Sequence, residues 1–294
     1  MNTETYRFRI GSFECMAVSD GTMTYAPPMF PPPASFLFVN SEEKSLFSAL
    51  REHGIDPLRW NAWISPYTCL FINTGRDTLL IDTGAGSLAE STGKLLQNLE
   101  AEQISPGDIG YIILSHGHPD HVGGNLDASG RPAFPAARWI MMRDEWDFWT
   151  TDRAERQLDE HSREMLINIA RTNLLPLENK IEVVEPGTEI VSGIYATDAS
   201  GHTPGHMAVS INSGDDSLLC ISDTVIHPVH LAHPEWHSAV DVLPDQVFKT
   251  RRGLLGKAER EKSLVMAFHF PFPGLGHIKE EKQGWGWQPF EGRN

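Results

Sequence analysis

Two similar hairpin patterns, one in each half of the chain, constrain the fold more than any other feature of the sequence. Residues 68–81 form an apolar run, a Thr-Gly-Arg-Asp turn and a second apolar run, and Asp82 follows. Residues 208–221 repeat this order around a Ser-Gly-Asp-Asp turn, and Asp223 follows shortly after. Apolar runs joined by such turns are typical of β-hairpins. The repeat predicts an α/β sandwich of two pseudo-symmetric halves.

The remaining elements fit between and around these hairpins. Residues 109–114 are apolar on both faces, which predicts a buried strand. Periodic patterns predict helices at residues 41–53 and 88–102, a helical insertion at 143–175 and a late helix at 244–262. Strands alternating with helices in this way are typical of a layered α/β protein.

Length and composition are compatible with one ordered unit. The chain has 294 residues, of which 40% are hydrophobic, so it can build a full core. We therefore expect a single domain over residues 1–294, with residues 1–60 as an extension packed on its body. The proline-rich residues 26–33 are interpreted as an ordered loop of that extension.

The charge of the chain limits its partners. A formal net charge of −15 argues against nucleic acid, whose binding proteins carry a basic face, and against anionic membrane surfaces. The first residues lack the apolar stretch of a signal peptide, and no apolar run is long enough to span a bilayer. We expect a cytoplasmic protein that acts on a small molecule, with a homodimer left open. The three cysteines form no C-x-x-C pair, so no thiolate metal site is predicted.

The strongest chemical signal is the segment Ser-His-Gly-His-Pro-Asp-His-Val-Gly-Gly at residues 115–124. It directly follows the predicted buried strand and supplies four metal-ligand side chains, His116, His118, Asp120 and His121. Imidazole nitrogens and carboxylate oxygens suit zinc and related first-row ions. Exposed loops rarely concentrate histidine at the end of a buried strand, so the segment predicts a metal site.

Further ligands are needed for two ions, because each ion takes about three or four ligands. Residues of the right type lie at other predicted strand ends. His206 ends the Gly-His-Thr-Pro-Gly-His segment, Asp223 follows the second hairpin, and His269 follows an apolar strand. The sequence thus predicts that these residues join the histidine-rich segment at one edge of the sandwich.

This set of motifs, spread over residues 60–277, resembles the metallo-β-lactamase superfamily. The resemblance implies a four-layer αβ/βα sandwich of two similar halves, in agreement with the repeated hairpins. It also implies one metal on His116, His118 and His206, a second on Asp120, His121 and His269, and Asp223 bridging the two. His202 is then expected to act without touching the metal, and Asp82 to brace the histidine-rich segment.

The resemblance implies a cofactor of two divalent metal ions, with Zn²⁺ expected and Mn, Fe or Co as alternatives. A water molecule between two such ions loses a proton near neutral pH. We therefore expect a metal-bridging hydroxide to attack a lactone or aryl ester carbonyl. The resemblance adds Asp120 as a catalytic residue that carries a proton to the leaving group.

Sequence details narrow the substrate to a small, neutral and partly apolar molecule. Residues 268–277, with the His-Pro pairs that begin at His227 and His233, are similar to the methyl parathion hydrolase branch of the superfamily. Organophosphate triester hydrolysis is therefore the alternative function, followed by thioester hydrolysis. Quorum-quenching lactonases of the superfamily usually carry a tyrosine where this chain has Ile226. That difference argues against acyl-homoserine lactones but not against lactones in general.

Two groups of residues keep two interpretations each. The histidines that follow Asp223 fit either an ordinary loop or a pocket wall; they are His227, His230, His233 and His237. The aromatic residues of the insertion fit either a pocket wall or core packing; they are Trp146, Phe148 and Trp149.

Other classes of protein explain the sequence less well. Residues 84–89 match a dinucleotide-binding G-x-G-x-x-A, but Asp82 and Thr83 separate them from the strand and no clear βαβ unit follows. A serine hydrolase lacks its G-x-S-x-G motif here. A non-catalytic metal-binding protein is compatible with the ligands, although complete sites with a bridging carboxylate are typical of catalysis.

Overall fold

The computed structural model describes residues 3–292, apart from the side chains of residues 161 and 162. Over this range it contains two seven-stranded sheets and nine α-helices. The predicted domain of residues 1–294 thus extends past the described range by two residues at each end. Among the described residues, no helix is both long enough and apolar enough to span a lipid bilayer.

The strands of the first sheet are β1 (Thr5–Ile10), β2 (Phe13–Tyr25), β3 (Trp63–Asn73), β4 (Thr78–Ile81), β5 (Tyr111–Ile113), β6 (Arg138–Met142) and β7 (Ile181–Val184). Those of the second are β8 (Glu189–Val191), β9 (Ile194–Asp198), β10 (Met207–Ser213), β11 (Asp216–Cys220), β12 (Leu264–Met266), β13 (Leu275–Glu280) and β14 (Trp285–Pro289). The helices are α1 (Pro33–Leu37), α2 (Glu43–Glu52), α3 (Leu95–Ala101), α4 (Pro119–Val122), α5 (Arg143–Thr150), α6 (Arg153–Gln157), α7 (Glu160–Leu174), α8 (Val229–Ala232) and α9 (Pro244–Glu261).

The two sheets repeat one arrangement at their centres. Both predicted hairpins are present, as β3–β4 and β10–β11. The second strand of each hairpin is the central strand of its sheet and pairs in parallel with its neighbour on the other side, β4 with β5 and β11 with β12. This shared order confirms the two pseudo-symmetric halves predicted from the sequence.

Helices cover the outer faces of the stacked sheets. Apolar side chains from both sheets, among them Leu70 and Val209, fill the space between them. Helices α3 and α5 to α7 cover the first sheet with residues such as Phe148, and α9 covers the second with residues such as Leu255. The layers confirm the four-layer αβ/βα sandwich.

The N-terminal part differs from its prediction as a packed extension. Strands β1 and β2 belong to the first sheet, so only the segment from residue 26 to residue 60 packs as an extension. Phe36 and Leu37 anchor that segment in a cluster with Trp63 and Val229. Strand β2 escaped prediction because it is buried on both faces and shows little alternation.

The predicted helix at residues 88–102 is also shorter, because α3 begins only at Leu95. The preceding residues form other hydrogen bonds: Thr22 N donates to Ser91 O, and Gly93 N donates to the Asp20 carboxylate. Gly93 itself has a φ of 75°, which is incompatible with a helix. Tertiary contacts therefore override the local helical pattern.

Candidate metal centre

The predicted ligands come from loops at one edge of the sandwich. His116 and His118 follow β5, and the short helix α4 carries Asp120 and His121. Residues 199–206 connect β9 to β10, and the turn at Ser222–Thr224 after β11 carries Asp223. His269 follows β12. Six of the seven predicted ligands lie in close groups there, together with His202.

The first group consists of three histidine nitrogens. His118 Nδ1 lies 3.0 Å from His116 Nε2 and 2.8 Å from His202 Nε2. All three side chains are buried. Three imidazole nitrogens at this spacing can surround one ion.

The second group consists of Asp120, His121 and His269. The Asp120 carboxylate lies 3.8 Å from His121 Nε2 and 3.5 Å from His269 Nε2. Asp120 keeps 12% of its side chain exposed, whereas the His121 side chain has no exposed surface. Asp120 is therefore the member of this group that a bound substrate reaches most easily.

Asp223 lies between the two groups. Its Oδ1 is 3.3 Å from His121 Nε2, and its Oδ2 is 3.1 Å from His269 Nε2. The same Oδ2 is 3.3 Å from His202 Nε2 on the other side. One carboxylate thus faces ligands of both groups, as a bridging ligand must.

His206, predicted as a ligand, lies outside the three candidate groups found among residues 3–292. Its Nδ1 lies 3.0 Å from Ala199 O, and Asp223 N donates to its Nε2 over 3.3 Å. Both ring nitrogens therefore have protein partners. The loop folds back on itself, with Gly201 N donating to Thr203 O, and presents His202 to the site. The geometry favours His202 over His206 as the third ligand of the first group.

Each histidine that presents Nε2 to the site is held through its other ring nitrogen. His121 Nδ1 lies 2.8 Å from Asp82 Oδ2, and His202 Nδ1 lies 2.8 Å from Asp241 Oδ1. His269 Nδ1 lies 2.8 Å from Ser65 Oγ. Such partners fix the ring orientation and direct the opposite nitrogen to a metal.

Asp82 has the bracing role predicted from the sequence. It accepts hydrogen bonds from Ser115 N over 2.7 Å and from Ser115 Oγ over 2.8 Å, in addition to its contact with His121. Its backbone φ of 60° is a left-handed conformation that is unusual for a residue other than glycine. These bonds fix the start of the histidine-rich segment relative to the first hairpin.

The electrostatics of the site favour a bound cation. Burial lowers the pKa of His116 and His118 well below the usual range, which keeps their lone pairs free. Burial also acts to lower the pKa of His121, but the carboxylates of Asp223 and Asp120 outweigh it and raise that pKa. Among the described residues, His121 Nε2 and Asp223 Oδ1 are buried without a hydrogen-bond partner. The residues therefore fit a metal, whose ligation would satisfy both atoms.

Aromatic side chains border the second group. The Trp63 and Tyr67 rings lie 5.9 Å and 5.5 Å from the His269 ring, measured between centroids. The Tyr67 hydroxyl is hydrogen-bonded to the Tyr25 hydroxyl over 2.7 Å. His227 extends this border, 5.6 Å from Trp60. The border is uncharged apart from the ligands themselves.

The two open interpretations are largely decided by packing. Phe148 and Trp149 are fully buried in the core beneath the first sheet, with Trp146 packed against them. His227 belongs to the aromatic border, whereas His230 contacts Leu37 O and His233 stacks on Trp236. His237 is half-buried beside Ser238. None of these histidines belongs to a candidate metal group of the described chain.

Together, the fold and the site define an αβ/βα sandwich with a candidate two-metal centre between its halves. The sequence model of the metallo-beta-lactamase superfamily matches residues 63–278, which is most of the chain. The chain therefore belongs to the metallo-beta-lactamase superfamily.

Known relatives include lactonases. An N-acyl homoserine lactonase of Bacillus cereus is 26% identical over 241 residues, which cover 74% of this chain and 84% of that protein. An N-acyl homoserine lactonase of Bacillus sp. is 27% identical over 168 residues, and this chain spans only 59% of its length. Among solved structures, the dizinc quorum-quenching lactonase AidC, in complex with a product, has 26% identity and a TM-score of 0.89. That match covers 99% of this chain and 98% of AidC.

Proposed function

We propose that this protein is a dinuclear metal-dependent hydrolase that opens the ester bond of small, neutral lactones. The observation that carries the proposal is the position of Asp223, which faces a three-histidine group on one side and an Asp-His-His group on the other. The lactonase relatives support the choice of substrate class.

The proposed ligands differ from the sequence prediction at one position. His116, His118 and His202 hold the first ion, and Asp120, His121 and His269 hold the second, with Asp223 between them. We propose Zn²⁺ at both positions, since the ligands are nitrogen and oxygen atoms and AidC is a dizinc enzyme. When bound, two such ions make a nucleophile of water near neutral pH and polarise a carbonyl oxygen.

The residues of the chain bind the lactone and move the proton. The aromatic border of Trp60, Trp63 and His227 receives the apolar part of the lactone and excludes water beside the second ion. Asp120, the more exposed acidic ligand, takes up a proton from the attacking water and gives it to the ring oxygen, whose bond to the carbonyl carbon breaks as the ring opens. No charged group is needed to bind a neutral lactone.

The acyl-homoserine lactones belong in the test despite Ile226. That side chain is buried in the cluster with Trp63 and Trp236, so it supplies no hydroxyl. Burial raises the pKa of both the Tyr25 and the Tyr67 phenol. The nearby Asp120 and Asp223 carboxylates raise both further. Both phenols therefore stay protonated, and a hydroxyl donor is present beside the second group from another part of the chain.

The test is a substrate panel on the purified protein loaded with two equivalents of Zn²⁺. The panel contains N-hexanoyl-homoserine lactone, an unsubstituted γ-lactone, an aryl acetate, an aryl phosphotriester and an acyl thioester. We expect the highest kcat/KM for a lactone, whose ring opening releases acid that a pH indicator detects. A chelator should abolish this activity.

The Asp120→Asn variant tests the proton transfer. It keeps the shape of the side chain and one oxygen ligand but removes the proton acceptor. We expect kcat to fall by about 10²–10⁴-fold, the usual contribution of a general acid–base group, while two ions stay bound. Faster turnover of the phosphotriester or thioester than of every lactone would contradict the proposed substrate class. Full activity of the variant would remove Asp120 from the mechanism.

A further inference from the structure

Glu145, on α5 of the insertion, is a fully buried carboxylate that has no role in the proposed chemistry. Its Oε1 accepts hydrogen bonds from Gly117 N over 2.8 Å and from Trp149 Nε1 over 2.6 Å. Its Oε2 accepts from Thr203 Oγ1 over 2.6 Å and from Gly205 N over 3.1 Å. All four partners are uncharged, so hydrogen bonds alone hold this negative charge in place.

Three of these partners lie in the two loops that carry the first metal group, and the fourth, Trp149, lies on α5 itself. Gly117 separates His116 from His118, and Thr203 follows His202 directly. One oxygen of Glu145 therefore binds the loop of the first half of the chain, and the other oxygen binds the loop of the second half. A backbone hydrogen bond from Met207 N to Ser115 O, 2.9 Å long, joins the same two segments at their ends.

Both loops approach α5 so closely that only glycine fits. A Cβ atom on Gly117 would lie 2.4 Å from Trp149 Nε1, and one on Gly205 would lie 2.0 Å from Glu145 N. The Trp149 ring also packs edge-on against the His118 ring, with 5.6 Å between centroids. Helix α5 thus acts as a template on which the two ligand loops rest.

We propose that Glu145 is a positioning residue for the first metal ion, which sets the separation of His118 and His202 by binding both of their loops. The proposal rests on the ligand set given under the proposed function. The 2.8 Å between His118 Nδ1 and His202 Nε2 is the distance that this carboxylate controls.

The charge of Glu145 also suits a site for two divalent ions. A buried carboxylate with only neutral partners is unfavourable unless positive charge lies nearby. The proposed ligands Asp120 and Asp223 supply two negative charges against four positive charges of two divalent ions. Two buried carboxylates behind the ligands, Asp82 and Glu145, offset part of the remainder, so a neutral residue of the same shape would not fully replace Glu145.

The experiment measures metal affinity rather than turnover. Glu145→Gln keeps the size of the side chain but turns one acceptor oxygen into a donor, which then faces the donors of one loop. We expect the affinity for one Zn²⁺ equivalent to fall by about 10–100-fold in competition with a chromophoric chelator. The visible absorption bands of the Co²⁺-loaded protein should also shift, because the ligand geometry at the first site changes.

A matched control is another buried carboxylate. Asp20 accepts hydrogen bonds from Ala85 N and Leu95 N, and it binds no loop of the first metal group. Asp20→Asn should leave both metal affinities and the Co²⁺ spectrum unchanged. Thr203→Val removes one hydrogen bond to Glu145 and keeps the charge, so it should weaken the same metal site by a smaller factor.

The outcomes separate this proposal from the lactonase proposal. Unchanged metal affinity in Glu145→Gln, or an equal loss in Asp20→Asn, would overturn the positioning role. If Glu145→Gln does not fold, unchanged affinity in both Thr203→Val and Trp149→Phe overturns it instead. Weakened binding of one ion by a protein that opens no lactone would refute the substrate class and leave the role of Glu145 standing.

Discussion

Replacing His202 by alanine tests which histidine of the 199–206 loop binds the first metal ion. The variant removes the nitrogen that lies 2.8 Å from His118 Nδ1 and leaves two histidines and Asp223 at that site. Loss of a residue that merely orients a ligand weakens metal binding by about 10–100-fold. We expect loss of the ligand itself to weaken metal binding by at least about 100-fold, the upper end of that range. This factor corresponds to about 2.8 kcal/mol of binding free energy.

His206→Ala is the matched comparison from the same loop. It removes the contact with Ala199 O and the bond from Asp223 N, and it leaves a cavity in a fully buried position. We expect the free energy of unfolding of the metal-free protein to fall by about 1–3 kcal/mol. Metal affinity should fall by no more than about tenfold, the lower limit for an orienting partner.

Chelator competition on metal-stripped protein measures both affinities, and urea denaturation measures both stabilities. The intensity of the Co²⁺ absorption bands reports the number of ligands at the site. If His206→Ala loses one ion while His202→Ala keeps both, the ligand set predicted from the sequence is right and the geometric argument is wrong. His202→Gln repeats the test should the alanine variant fail to fold.

Three further variants examine the surroundings of the site. Asp82→Asn removes an acceptor that His121 needs, so the affinity for the second ion should fall by about 10–100-fold. The same chelator competition measures this affinity, and unchanged binding would contradict the bracing role of Asp82. Burial lowers the pKa of His227 to about 3, below its unfolded value near 6.5, so stability is lost as pH falls through this window, by up to about 1.36 kcal/mol per pH unit. His227→Gln should flatten that decline between urea midpoints at pH 7.5 and pH 5, and an identical slope would refute this. Arg251→Met leaves the buried Asp241 carboxylate without the cation that lies 3.5 Å away. The free energy of unfolding, measured by denaturant titration, should fall by about 3–5 kcal/mol. A loss under about 1 kcal/mol would show that the ion pair contributes little.

The sequence predicted correctly those parts of the fold that depend on residues adjacent to one another in the chain. The hairpins β3–β4 and β10–β11 each combine two apolar runs with a turn, and this pattern predicts pairing without distant information. The histidine-rich segment after β5 combines ligand-type side chains with a buried strand. Both features are local, so both were predicted correctly in position.

The choice between His202 and His206 as the metal ligand depends on residues that are distant in the sequence. Both histidines lie in one Gly- and Pro-containing loop, and either could face the site. Asp241, far along the chain, holds His202 by its Nδ1, while the backbone of Ala199 and Asp223 binds His206. Only tertiary structure brings these partners together, so the sequence offered no basis for preferring His202.

Glu145 was hidden for a related reason. A glutamate in a polar, helical segment is usually solvated, and nothing in the neighbouring residues shows that it is fully buried. Apart from Trp149 on the same helix, its partners lie in two loops that are distant in the sequence, one from each half of the chain. The pairing of the motif glycines with this carboxylate became visible only in three dimensions.

The proposed centre draws donors for both ions from both halves of the sandwich. His116 and Asp120 belong to the first half, whereas His202 and His269 belong to the second. The ions would therefore act as cross-links between two sequence-distant lobes, and their affinity would report how firmly those lobes are docked. Separating the lobes and letting the ions go would then be one cooperative event, so a chain cut between β7 and β8 should reassemble more tightly with zinc than without it.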